Sequence, residues 1–355
     1  MKKIIILLLA FILTGCYDYR ELKDLAITTA VGINYKDGEY ELILQVIDTT
    51  KKEENNFFTY KEKGKTMQEA FRNIITKTSK RIYGNHIDLV LISEDILNIS
   101  DVIDFLYRDA EVRVEFYMAI AKDVDKILET KTELVPINSD YILTLLKNED
   151  EIAGTLKRVT FSEFLDMYVN KNKDIILPTI KLSNDKIESG TMVLIDDKVV
   201  DYMDIEESKG YKFIIDDIEN TIITDKCDSD NYFSMEIIEN KTSYEFKDGI
   251  FYINIVNEGN INEMHCDIDL TDNKVIDYIE GKTEEYIKNI AYKSIDKAKI
   301  YNLDVFNIKD YIYKNYNDYY KNNNVDINNL NIKINSKTTF INKGEGLTTI
   351  KDKEN

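Results

Sequence analysis

Cys16 is the residue whose surroundings in the sequence point most clearly to a chemical modification. A short basic segment, Lys2-Lys3, precedes an apolar stretch from Ile4 to Leu13, which is shorter than the ~20 residues of a membrane-spanning helix. Small residues then lead directly into the cysteine in Leu13-Thr14-Gly15-Cys16. This pattern looks like a bacterial lipoprotein signal, in which Cys16 is acylated and residues 1–15 are removed. The alternative is an ordinary secretory signal that contains a cysteine.

Candidates for catalytic or metal-binding chemistry are weak. The chain has two histidines, His86 and His265, and its sequence contains no zinc-protease, serine-hydrolase or phosphate-loop motif. His265 and Cys266 are adjacent, and adjacent residues on a strand point to opposite faces. A calcium loop beginning at Asp228 has Phe233 where glycine is required. Carboxylate pairs are too common in this chain to indicate a glycosidase, so the sequence predicts neither an enzyme nor a metal site.

The segment Arg108-Asp109-Ala110-Glu111-Val112-Arg113 concentrates charges of both signs. Guanidinium groups pair with carboxylates through two parallel hydrogen bonds. The segment therefore either clamps its own domain or binds an acidic group of a partner.

The charge of the chain excludes one class of partner. The formal net charge is −19, and removal of residues 1–15 would change it to −21. An acidic protein repels phosphate backbones, so nucleic acid is not expected as a partner. With 43% hydrophobic residues the chain is expected to fold, and acyl chains rather than charge would hold it on a membrane. Cys227 and Cys266 are left either as one disulfide or as two buried thiols.

The elements that would position these residues begin with an α+β domain over residues 16–130, in two layers. Asp37-Gly38 predicts a tight turn between two strands, and Thr66 to Glu69 forms a capping box that opens a helix. Ser100 is expected to cap a second helix, and two further strands are predicted at 87–92 and 114–121. The apolar residues Leu25, Ile27, Val31, Ile33 and Tyr35 are expected on one face of the first strand.

A middle mixed domain is predicted over residues 131–217 and a C-terminal α+β domain over residues 218–355. The middle domain has a second capping box, Thr160 to Glu163, and strands at 175–182 and 191–200. In the C-terminal domain, helical spacing predicts a long helix over 272–300 and a second one over 308–320. Short strands are predicted at 232–238, 242–246, 250–256 and 261–266, and a terminal pair of strands at 330–341.

The chain resembles the Ger(x)C family, the lipoprotein C subunits of nutrient germinant receptors of endospore-forming bacteria. Gly15-Cys16-Tyr17-Asp18-Tyr19-Arg20-Glu21-Leu22 is similar to the opening of the family, with Tyr17 in place of the usual tryptophan. The segment from Arg81 to His86 resembles the central histidine-containing segment, and Asp104 to Arg113 resembles the "FLxRDxxVR" stretch. Weaker similarities follow in order at Pro178, Gly190 to Val193 and Asp304 to Phe306.

The resemblance implies three successive α+β domains and a receptor subunit that is not an enzyme. It implies a location on the outer face of the spore inner membrane, held by the lipid on Cys16 and beside integral A-type and B-type membrane subunits. No cofactor is expected apart from the acyl modification. The residues expected to dock on the partners are Arg108, Asp109, Arg113 and His86. The alternative is a lipid-anchored solute-binding protein, and a third class is a hydrolase that acts on cortex peptidoglycan.

Overall fold

The computed structural model describes residues 21, 24–47, 57–108, 113–132, 135–227, 230–266 and 269–342, and the statements below refer to these residues. Cys16, Asp109 and Asp228, which the sequence analysis singles out, lie outside them. Within the described ranges, no helix is both long enough and apolar enough to cross a bilayer.

Ten of the described strands form one mixed sheet. They are β1 (Leu25–Lys36), β2 (Glu39–Ile47), β3 (Phe57–Gly64), β4 (Arg81–Tyr83), β5 (Leu89–Ser93), β6 (Tyr117–Ala121), β7 (Val159–Thr160), β8 (Ile175–Ser183), β9 (Lys186–Asp196) and β10 (Lys198–Tyr202). Their order is β10-β9-β8-β6-β5-β1-β2-β3, with β4 beside β1 and β7 beside β6. The central pairs β1–β5, β5–β6 and β6–β8 are parallel, whereas the pairs at both edges are antiparallel.

The β1–β2 hairpin confirms the predicted turn and corrects the predicted face. Asp37 and Gly38 both have positive φ, 56° and 78°, as a two-residue hairpin turn requires. The register shifts between Thr28 and Ala30, so one extra residue bulges out of β1. Because side chains alternate, this bulge moves Leu25 and Ile27 to the face opposite Val31, Ile33 and Tyr35.

Helices cover both faces of this sheet, so the predicted two-layer arrangement is wrong. On one face, Val31 and Leu42 line a small cavity together with Phe71 and Phe105 of two helices. On the other face, a Cβ atom on Gly32 would lie 2.6 Å from a methyl group of Val124. The central strands are therefore buried on both sides, as parallel strands usually are. The helices of this part are α1 (Met67–Ile75), α2 (Ile99–Arg108), α3 (Val124–Glu129), α4 (Asn138–Asn148) and α5 (Phe161–Val169).

A second, four-stranded sheet follows with the order β11-β12-β13-β14. Its strands are β11 (Thr221–Lys226), β12 (Tyr232–Lys247), β13 (Ile250–Met264) and β14 (Asn331–Asn342), and the helices of this part are α6 (Ile205–Ile214), α7 (Asn273–Tyr301), α8 (Ile308–Asn315) and α9 (Asn317–Asn322). The long helix α7 begins after Asp272, as predicted, and covers the edge strand. Glu284 and Glu280 of α7 accept hydrogen bonds from the backbone N–H groups of Thr338 and Phe340, at 3.0 and 2.9 Å. These contacts satisfy donors that an open sheet edge would leave unpaired.

Three local predictions for this part are wrong in detail. The four short strands at 232–266 are two long strands, because bulges in β12 keep it paired with β13 where the apolar alternation breaks. The terminal pair of strands is one strand, β14, which runs parallel to β13. The helix predicted at 308–320 is divided into α8 and α9 at Tyr316.

One predicted domain boundary lies within a sheet, and the other lies between the two sheets. The boundary at 130 lies within the first sheet, because Ile120 of β6 pairs with Thr179 of β8. The boundary at 217 lies between the sheets, after β10 and before β11. The division of the chain into three domains remains a prediction.

Two buried ionic groups connect the two parts. Lys212 of α6 is fully buried and contacts Asp150, which lies in a π-helical turn, Glu149–Ala153, after α4. Asp304 is also fully buried, and its carboxylate accepts hydrogen bonds from the backbone N–H groups of Ile308 and Lys309 at the start of α8, at 3.1 and 2.5 Å. Its own N–H donates to Asp174, which precedes β8, over 2.6 Å. These contacts link the end of α7 to the first sheet.

Candidate functional site

A groove of about 1450 Å³ lies between α1 and α2. Leu165, Tyr168 and Val169 at the end of α5 form part of its lining. Tyr168 is 41% exposed and Val169 is 64% exposed, although both are large apolar side chains. Exposed apolar surface with a charged rim is typical of an interaction site.

The capping box predicted at Thr66 positions the first wall of the groove. The Thr66 hydroxyl accepts a hydrogen bond from the Glu69 N–H over 3.1 Å, and the Glu69 carboxylate accepts one from the N–H of Lys65 over 2.7 Å. The helix α1 therefore begins at Met67, and Ala70 and Ile74 are buried against the sheet. The opposite side of α1 is left for the groove.

The second wall, α2, has its capping side chain two residues earlier than predicted. The side-chain oxygen Oδ1 of Asn98 accepts a hydrogen bond from the Ser100 N–H over 3.0 Å. Asn98 rather than Ser100 therefore caps the N-terminus of α2. Val102 and Leu106 are buried beneath the helix. Arg108 lies at its last turn and lines the groove.

The groove is rich in cations on a chain that is strongly acidic overall. Its acidic side chains are Asp101 and Asp104, and both already have partners: Tyr40 donates to Asp101 over 2.5 Å, and Arg108 pairs with Asp104. Burial and the Asp101 carboxylate both raise the pKa of the Tyr40 hydroxyl, which therefore stays protonated. The cationic side chains that line the groove are Lys65, Arg72, Lys80, Arg81 and Arg108.

The described contacts of Arg108 and Arg113 are local and do not form a clamp across the domain. The Nε atom of Arg108 lies 2.7 Å from Asp104, one helical turn earlier, and the Arg108 side chain is 76% exposed. Arg113 pairs with Glu115, two residues later, at 2.8 Å. Exposed ion pairs of this kind add about 0–1 kcal/mol to stability. Both arginines are therefore available to a partner, whereas Asp109 lies outside the described residues.

His86 and Arg113 lie near Asp88, away from the groove lining. Burial raises the pKa of the Asp88 carboxyl, and the charges of His86 and Arg113 partly offset this effect. The ring of His86 lies 5.7 Å from that of Tyr83 between centroids, and His86 is exposed. Of the four predicted docking residues the structure describes three: Arg108 lines the groove, whereas His86 and Arg113 mark a second exposed patch.

The structure shows the contacts of the candidate metal and thiol residues. Among the residues that the structure describes, no group of three or more His, Cys, Asp or Glu side chains is arranged to hold a metal ion. The imidazole of His265 contacts Glu263 over 2.8 Å at the surface. Cys227 and Cys266 form a disulfide with their Cα atoms 6.3 Å apart, which resolves the two alternatives left by the sequence.

Sequence reasoning missed the contribution of α5 to the groove. The sequence predicts Leu165 and Tyr168 in a separate middle domain, because helical periodicity alone does not tell which helix packs next to which. The available signal was the apolar pair Tyr168-Val169 at the end of a short, well-capped helix.

Comparisons with known proteins agree with the resemblance described above. A family model for the "Spore germination protein N-terminal domain" matches residues 18–182, and one for "Spore germination B3/ GerAC like, C-terminal" matches residues 189–344. Spore germination protein KC of Bacillus subtilis (strain 168) is 25% identical, with 88% of this chain and 87% of that protein covered. Spore germination protein A3 of the same organism is 22% identical over 71% of each chain.

A solved structure supports the fold. The crystal structure of the GerBC protein matches with a TM-score of 0.58 and 16% identity, covering 91% of this chain and 100% of that chain. This similarity confirms the predicted α+β fold. Because the two family models together match most of the sequence, and in order, the chain belongs to the Ger(x)C family of spore germination proteins.

Proposed function

We propose that this chain is the lipoprotein C subunit of a nutrient germinant receptor and that it acts by assembly rather than catalysis. Lipid on Cys16 would hold it on the outer face of the spore inner membrane, beside an A-type and a B-type integral membrane subunit. The observation that carries this proposal is the match of both family models, in order, along the chain.

The exposed side chains of the first sheet region support a docking role. Among the described residues, Arg108 pairs with the exposed Asp104, so a carboxylate of a partner can replace Asp104 at little cost. Arginine is enriched among the residues that contribute most to protein interfaces. We assign the docking contact to Arg108 on the groove and to His86 and Arg113 on the second patch.

The test is an affinity pull-down of the tagged protein from detergent-solubilised spore membranes. Recovery of two polytopic membrane proteins supports the proposal. Cys16→Ala serves as the control for the anchor: it should leave the protein in the soluble fraction and reduce recovery of both partners. Recovery of the lipoprotein alone, still in the membrane fraction, overturns the assembly proposal.

Recovery of the lipoprotein alone would favour the alternative, a lipid-anchored solute-binding protein. The two sheets are unlike in size and topology, which does not favour the two similar lobes of a typical solute-binding protein. Ligand-dependent thermal stabilisation would support the alternative, because a ligand at 100 times its dissociation constant adds ~2.7 kcal/mol to stability.

A further inference from the structure

One edge of the groove combines cations with an exposed apolar side chain. This basic edge consists of Arg72, Ile75, Lys80 and Arg81. Among the described residues, Arg72 and Lys80 form no ion pair, and Ile75 between them is 38% exposed at the end of α1. The edge is therefore locally positive on a chain whose formal net charge is −19.

The basic edge lies where the chain enters the first sheet. Arg81 in β4 pairs with Leu25, the first residue of β1. Cys16 precedes Leu25 by nine residues. Since an extended chain spans at most ~3.6 Å per residue, an anchor at Cys16 keeps Leu25 within about 30 Å of the bilayer surface.

We propose that the basic edge contacts an anionic phospholipid surface and so orients the anchored protein on the membrane. Phosphate headgroups would pair with Arg72 and Lys80, and Ile75 would enter the interfacial layer. The net negative charge does not prevent this contact, because charges beyond the Debye length of ~8 Å at physiological salt are largely screened. A lipid surface fits better than an acidic protein segment because the edge lies beside Leu25, only nine residues after the proposed anchor.

The inference rests on the proposed anchor at Cys16. In the experiment, a chemical coupling of Cys16 to a lipid replaces the acyl anchor. Cys16 is the one cysteine of three outside the disulfide, so the mature chain can be coupled through it to a maleimide lipid in vesicles. The chain contains no tryptophan, so Ile75→Trp introduces a single tryptophan at the basic edge, whose emission can be excited apart from that of tyrosine. Ile222→Trp, at a site that is 42% exposed on β11, is the matched control. Brominated lipids then report contact by quenching.

In vesicles that contain phosphatidylglycerol, we expect Trp emission of Ile75→Trp to be quenched about twofold more than that of Ile222→Trp, because each nearby cation is attracted to the anionic surface. The difference should vanish in phosphatidylcholine vesicles, at high salt and in Arg72→Glu/Lys80→Glu. The charge-matched control Lys186→Glu/Lys321→Glu, which changes two exposed lysines away from the groove, should retain it.

Equal quenching at the two positions in phosphatidylglycerol vesicles overturns the inference. Loss of the membrane partners in Arg72→Glu/Lys80→Glu, with quenching unchanged, would also overturn it and assign the edge to a protein. If quenching is as expected but the pull-down recovers no membrane subunit, the inference stands and the proposed function is rejected.

Discussion

The ammonium group of Lys212 donates a hydrogen bond to the backbone oxygen of Asp150 over 2.6 Å and also contacts the Asp150 carboxylate. Lys212 lies on α6, and Asp150 lies in the π-helical turn after α4. Arg158 completes the pairing of the same carboxylate, with its Nε atom 3.0 Å away. Burial raises the pKa of Asp217, whose carboxyl lies 3.7 Å from Lys212. The buried lysine therefore lies between two carboxylates, Asp150 before α6 and Asp217 after it.

Lys212→Met should destabilise the protein by about 2 kcal/mol, because it removes the charge-assisted hydrogen bonds of a fully buried cation to the partly buried Asp150 and its pairing with Asp217. Urea unfolding of the mature chain measures the change. Lys288→Met, on the exposed side of α7, is the control and should change stability by less than about 0.5 kcal/mol. Equal stability of the two variants would mean that Arg158 and Lys157 suffice to neutralise this cluster.

Alanine substitutions at Gly210 and Gly281 should change the stability of the protein in opposite directions. A Cβ atom on Gly210 of α6 would lie 2.2 Å from the backbone oxygen of Ile290 in α7, so the two helices would have to separate. We expect Gly210→Ala to cost about 2 kcal/mol through overpacking. Gly281 in α7 has no atom within 4 Å of its Cβ position, and Gly281→Ala should stabilise the protein by up to ~1 kcal/mol through helix propensity. Thermal unfolding compares them, and a neutral Gly210→Ala would argue against this helix contact.

Loss of the disulfide should weaken the second sheet. Cys227 and Cys266 are 39 residues apart in sequence, and a loop of that size corresponds to ~4 kcal/mol of lost entropy in the unfolded chain. We expect Cys227→Ser/Cys266→Ser to lower the free energy of unfolding by about 3 kcal/mol, measured against the oxidised parent. An unchanged midpoint in reducing and oxidising buffer would contradict the pairing.

Asp304 should make stability depend on pH between about 4 and 6. Burial raises the pKa of the Asp304 carboxyl from 3.8 to about 6, although N–H donors and Lys309 act in the opposite direction. The folded state therefore holds this proton more tightly than the unfolded state, so the group's contribution to stability is present below pH 3.8 and is lost as the pH rises through about 6. The loss amounts to ~3 kcal/mol at 1.36 kcal/mol per pKa unit.

The measurement for Asp304 is the difference in free energy of unfolding between the parent and Asp304→Asn across this pH range. Relative to the variant, the parent should lose stability as the pH rises from 4 to 6. Asp310→Asn is a control of opposite sign: burial acts to raise the pKa of Asp310, but hydrogen bonds from Lys314 and Asn170 together with the charges of Lys314 and Lys173 lower it overall. Its effect should be confined to lower pH, and a flat difference for Asp304→Asn would show that the carboxyl stays ionised throughout.

Arg108→Ala should separate docking from folding. Because the pair with Asp104 is exposed, we expect a stability change of no more than about 0.5 kcal/mol. Recovery of the membrane subunits in the pull-down should nevertheless be lost. Lys186→Ala serves as an exposed control. A collapsed circular-dichroism spectrum for Arg108→Ala would instead support a clamping role.

Local signals in the sequence predicted local structure well. The Asp37-Gly38 turn and the capping box at Thr160 depend on residues within a few positions, and both form as expected. Asp248-Gly249 is another Asp-Gly turn with positive φ at both residues, and it joins β12 to β13. The bulge at Thr28 to Ala30 was missed because it changes the face of a strand without changing its composition.

Relationships between distant segments could not be predicted in the same way. The apolar alternation of β14 is compatible with any neighbouring strand, so its parallel pairing with β13 has no local signature. The groove also depends on distant segments, since the fold brings together α1, α2 and the end of α5. The sequence motif identified Arg108 as a candidate site residue, whereas the place of Tyr168 in the groove is seen only in the three-dimensional structure.

The parallel centre of the first sheet also determines when the chain can fold. The β1–β2 hairpin can form as soon as those residues are available, but β6 pairs in parallel with β8, whose residues come much later in the chain. Distant parallel pairing is slow because the loop must close before the contacts form. In a chain that crosses the membrane from its N-terminus, the central strands would wait exposed until β8 emerges. Their unpaired edges would make these unfinished chains prone to aggregation during this delay.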